Sequence, residues 1–119
     1  MNWITETRRD LANTLETLAP THVDVPEILD LPAIILTEAD SFLERGAFGS
    51  WDVAFKATYY TRPGDNDVMA EDADSFAAGL LQMPLPAAIH VQNYQTVTLP
   101  DGQPLYAVTA TITLNKEES

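Results

Sequence analysis

Residues 50–61 read Ser-Trp-Asp-Val-Ala-Phe-Lys-Ala-Thr-Tyr-Tyr-Thr. Trp51, Val53, Phe55, Ala57 and Tyr59 fall on one side of an extended chain, with Asp52, Lys56, Thr58 and Tyr60 on the other. Side chains of a strand alternate between faces, so this pattern predicts a strand with one apolar face packed on a covering layer. Arg62-Pro63-Gly64 ends it, since proline cannot donate to a ladder and glycine frees the turn. The covering layer must come from the flanking sequence.

Downstream, Asp65, Asp67, Glu71, Asp72 and Asp74 place five carboxylates within ten residues. A calcium loop needs an oxygen ligand at its fifth position and a glycine at its sixth. Counted from Asp65, those positions hold Met69 and Ala70, so the stretch does not fit. An acid/base pair needs two carboxylates in opposed environments facing one cleft, and Asp72 and Asp74 fall on different helix faces. The fitting alternative is a helix over about 66–82, capped by Asp65 or Asn66, with acids complementing the positive end of its dipole. Met69, Ala73, Phe76, Ala77, Leu80 and Leu81 form its predicted buried stripe, and Pro84 and Pro86 follow its end.

Two further strands are predicted at 88–99 and 104–114. Pro100-Asp101-Gly102-Gln103 joins them, and Asp-Gly suits the positive-φ positions of a tight hairpin turn. Upstream, Ile4, Leu11, Leu15 and Leu18 line one face of a predicted helix over 2–18, with Asn2 as N-cap. Val23 and Val25 alternate with His22 and Asp24 in a short predicted strand ended by Pro26, and Ala33–Thr37 reads as a buried strand. Residues 39–50 hold two glycines and two aromatics without a period, which reads as a loop or an extended hairpin arm. The expected architecture is α+β in the order α-β-β-β-α-β-β, with two helices on a mostly antiparallel sheet of about five strands, as one domain over 1–119.

Eighteen acidic against six basic residues give a formal charge of −12. Such a surface repels phosphate backbones and argues against nucleic-acid binding, though not against an acidic inhibitor that mimics DNA. The absence of cysteine removes disulfides and thiolate metal sites, and suits an intracellular protein. No apolar run approaches a membrane span, and no basic lead precedes an apolar stretch as in a signal peptide. His22 and His90 lack the further ligands or nucleophile that a zinc or catalytic site needs, so the chain is expected to be no enzyme and to use no cofactor or metal. Phe42, Leu43, Arg45 and Phe48 in the 39–50 segment, with Tyr60 and Arg62 beside it in sequence, are the candidate interface residues, because apolar, aromatic and arginine side chains on a surface mark contact sites. The opposing possibility is that the aromatics fold back over the sheet.

The opening helix MNWITETRRDLANTLETL, followed by HVDVP and LPAIIL, resembles the tail terminator (neck) proteins of long-tailed phages of actinobacteria. Those begin with a similar M-N-W-x-x-x-T-R helix and a P-A-x-x-L strand, then carry an aromatic strand, an acidic helix and a final hairpin. The likeness covers nearly the whole chain and contains no catalytic residues. It implies a structural virion protein, usually a homohexameric ring, assembled in the host cytoplasm. Its partners would be the tail tube protein and the head-side connector or stopper, with DNA passing through the lumen unbound. A head-closure (stopper) ring fits the same features.

Overall fold

The computed structural model describes residues 2–24, 30–45 and 49–117. The elements run α1 (Trp3–Leu15), β1 (Thr21–His22), β2 (Ala33–Arg45), β3 (Ser50–Tyr60), α2 (Asn66–Leu81), β4 (Ala87–Thr98) and β5 (Pro104–Glu117). They form one five-stranded sheet in the order β1-β2-β3-β5-β4, with β1 parallel to β2 and every other pair antiparallel. This is the expected α+β order, and both helices lie on one face of the sheet.

The alternating stretch is the central strand β3. Val53, Phe55 and Ala57 are fully buried and Tyr59 nearly so, while Lys56 on the opposite face is exposed. Cross-strand rows place Ile34 and Leu36 of β2, and Val108, Ala110 and Ile112 of β5, on that same face. Leu11 and Leu15 of α1 and Ala73, Phe76 and Leu80 of α2 cover it. Burying a Leu or Phe side chain stabilises by about 1.5–3 kcal/mol, so this single apolar layer is the main source of stability. Asn2 caps α1 by accepting from the Ile4 amide (2.7 Å), and Asp65 caps α2 by accepting from the Val68 amide (3.1 Å). Leu81, expected in the buried stripe of α2, is instead 57 % exposed at its last turn.

Three elements depart from the sequence reading. The short upstream strand is Thr21–His22, and Val23 turns outward at 45 % exposure; Val25 and Pro26 lie outside the described residues. β2 continues past its expected end at Thr37 to Arg45, so of the two readings of this segment the extended hairpin arm holds for residues 39–45. Glu38 pairs with Phe55 and Leu43 with Val53, so β2 takes five steps where β3 takes two. That irregularity shifts the phase of the alternation and hides the strand from a period-2 reading. β5 likewise runs on to Glu117. A smaller slip in β4, between Val91 and Asn93, brings Tyr94 opposite Val108 on the helix-covered face.

Candidate functional site

The arm is built by β2 and the start of β3. Phe42 turns inward and meets the Phe55 ring edge-on at 5.3 Å. The Arg8 guanidinium of α1 lies 5.8 Å from the Phe42 centroid and 5.6 Å from that of Phe55, and 3.3 Å from the Glu38 carboxylate. Phe42 therefore belongs to the packing between arm and helix, and the fold-back reading holds for it. Leu43 stays 42 % exposed, and Arg45 is exposed. Arg45 pairs across the strands with Trp51, which pairs in turn with Lys116 of β5. Two of the chain's six basic residues thus flank one tryptophan at the arm's end. Phe48 lies outside the described residues.

Tyr60 and Arg62 do not join that end. Tyr60 sits seven residues along β3 from Val53, the partner of Leu43, or about 24 Å at the rise of an extended chain. It is half-buried between Ala33 and Ala107 on the face without helices. Arg62 is exposed, and its backbone N–H donates to Asp72 Oδ2 at 3.2 Å. The five described candidates therefore divide, with Phe42, Leu43 and Arg45 on the arm and Tyr60 and Arg62 at the far end of β3.

The acidic stretch ties α2 to the sheet. The Tyr59 hydroxyl donates to Asp72 Oδ1 at 2.8 Å, and the Tyr94 hydroxyl donates to Asp74 Oδ1 at 2.7 Å. The Tyr59 ring stacks on Phe76 with centroids 4.4 Å apart and ring planes within 5° of parallel. Burial first, then the hydrogen bond to Asp72 and its charge, hold the Tyr59 phenol well above the usual tyrosine range, with Arg62 pulling weakly the other way. Burial and the bond to Asp74 also raise Tyr94. Sequence reasoning missed both pairs. The available signal was Tyr59 itself, since a tyrosine in a buried stripe needs a partner for its hydroxyl and the covering helix offers carboxylates.

An open groove of about 490 Å³ lies between α1, β1 and β2, where Arg8 and Arg9 oppose Asp24 and Glu38. A second, of about 430 Å³, is lined by Leu18, Pro32, Arg62 and Glu71 around the Tyr59–Asp72 bond. His22 is on β1 and His90 on β4, at opposite edges of the sheet. Among the described residues no three His, Cys, Asp or Glu side chains are placed to share a metal ion, and no helix is long and apolar enough to cross a membrane. No protein-family model and no curated protein matches the chain. What the arrangement offers is surface: an exposed aliphatic and two cations around a tryptophan, on an otherwise acidic molecule.

Proposed function

We propose that the chain is a structural virion protein of the phage neck, a tail terminator whose copies form a ring that ends the tail tube and receives the head-side connector. The observation that carries this reading is the arm's end. Leu43, Arg45 and Lys116 are exposed about the half-buried Trp51, a small apolar and cationic surface on a chain of charge −12. A neighbouring copy offers acidic surface to receive it, and such a contact between unlike patches closes into a ring when the rotation per copy permits. Of the segments that carry the resemblance, the first spans α1 and the third opens β2, while the second begins at His22 of β1 and runs outside the described residues. The same features serve a head-closure ring; the two are separated by whether the protein binds the tail tube or the head connector.

Electron microscopy of the purified protein with assembled tail tubes tests the proposal. Rings capping tube ends are expected, and their loss in Leu43→Ser/Arg45→Glu. Tubes that remain uncapped and a chain that remains monomeric would refute it. A second reading, an acidic DNA mimic, draws on the one-sided distribution of charge: from Ser75 to Asn115 only Asp101 is charged. Retention of a basic nucleic-acid enzyme, competed by duplex DNA, would favour that reading over the ring.

A further inference from the structure

The sheet ends on β4, and β4 differs from the rest of the molecule. Residues 75–100 contain no Asp, Glu, Lys or Arg. His90, Gln92, Asn93, Gln95 and Thr96 are exposed along this strand, yet none carries a fixed charge. Twelve residues of strand present about 40 Å of backbone, and among the described residues no strand pairs with its outer side. Exposed edges are ordinarily blunted by lysine, by inward charges or by brevity, because unpaired N–H and C=O groups template pairing with another chain. β4 has only its one-residue slip near Gln92. The opposite edge is well protected: β1 is two residues long, and β2 beyond it is irregular and carries Glu38, Asp40 and Glu44.

We propose that β4 is a self-association edge, pairing antiparallel with β4 of a second copy about a two-fold axis near its midpoint at Asn93, so that two sheets become one. Charge selects the occupant. Two copies at −12 repel wherever their acids come within the screening length of about 8 Å, and residues 75–100 add no fixed charge to this edge; Asp74, bonded to Tyr94, is held over its helix-covered face. A basic partner would be drawn first to Glu38, Asp40 and Glu44 of β2, at the opposite side of the sheet. Two-fold symmetry sets neutral strand on neutral strand, whereas joining β4 to the outer side of β2 would oppose it to carboxylates and a broken ladder. This contact is separate from the ring contact proposed above and does not depend on it.

Sedimentation equilibrium on the full chain tests the edge directly. The wild type is expected to dimerise. Asn93→Lys/Gln95→Lys changes two exposed side chains on the face without helices and places four lysines along the seam. Its dissociation constant should rise about tenfold or more, because like charges across paired strands destabilise them. Asn93→Glu/Gln95→Glu should fail alone, and an equimolar mixture with the lysine variant should restore the dimer. Unchanged thermal unfolding at low concentration shows that each variant folds. A wild type that stays monomeric leaves the edge to a strand from a different protein and overturns the proposal. So does a dimer that the lysine variant retains. A monomer in sedimentation that still caps tail tubes overturns the edge and leaves the ring reading standing, whereas a dimer that leaves tubes uncapped does the reverse.

Discussion

Tyr59→Phe isolates one hydrogen bond. The ring remains stacked on Phe76 at 4.4 Å, so the substitution removes only the hydroxyl that donates to Asp72. A hydrogen bond to a charged group contributes about 1.5–3 kcal/mol. Asp72 is half-exposed and keeps the Arg62 amide, so water and that amide recover part of the loss, leaving about 1–2 kcal/mol. A chain of this length unfolds with an entropy of roughly 0.25 kcal/mol/K, which converts the loss to a fall in Tm of about 4–8 °C by calorimetry at neutral pH. A double-mutant cycle with Asp72→Asn should give a coupling energy of about 1 kcal/mol. The pH dependence has a definite sign. The folded chain keeps the Tyr59 proton above the unfolded value of 10.0, so this stabilisation is complete below that pH and is lost as pH rises beyond it. Wild-type stability should therefore fall more steeply above pH 10 than that of Tyr59→Phe. A Tm change under about 1 °C, together with parallel alkaline profiles, would refute the reasoning.

Asp65→Ala removes the cap on the Val68 amide and should cost about 1 kcal/mol in urea unfolding, with an unchanged m-value. Gly79→Ala should stabilise by about 0.5 kcal/mol: alanine gains about 1 kcal/mol of helix propensity, and the added methyl meets only the end of the half-buried Leu18 side chain, 3.1 Å away beside an open groove. A lower Tm would mean that Leu18 cannot move aside. Arg8→Met loses the ion pair with Glu38 and the guanidinium over the Phe42 and Phe55 rings, so it should cost about 1–2 kcal/mol, against about 3–5 kcal/mol for Phe55→Ala.

Elements with an unbroken period were legible in the sequence. β3 and both helices could be placed to within a few residues because each buries one face in a regular pattern, and the β4–β5 hairpin because Asp101-Gly102 marks its turn despite the slip at Val91 and Asn93. The far half of β2 could not, since the extra residues between Glu38 and Leu43 reverse the phase along the strand. Phe42 read as either interface or packing, and the contacts that decide for packing, with Phe55 and with Arg8, lie 13 and 34 positions away in the chain. The Tyr59–Asp72 and Tyr94–Asp74 pairs were hidden for the same reason: each joins strand to helix over a span that no local pattern encodes. The grouping of Leu43 with Tyr60 failed because neighbours in sequence along a strand separate steadily in space.

The two tyrosine tethers also determine how the fold yields to force. α2 is fastened to the central strand β3 through Asp72 and, two residues on, to the edge strand β4 through Asp74. Dragging the helix lengthwise over the sheet must rupture both tethers together. Pulling the edge strand away sideways breaks only the second, leaving the helix clamped to the middle of the sheet. The molecule should thus resist shear along its strands better than peeling at β4, a directional strength that atomic force spectroscopy with differently placed attachment points would resolve.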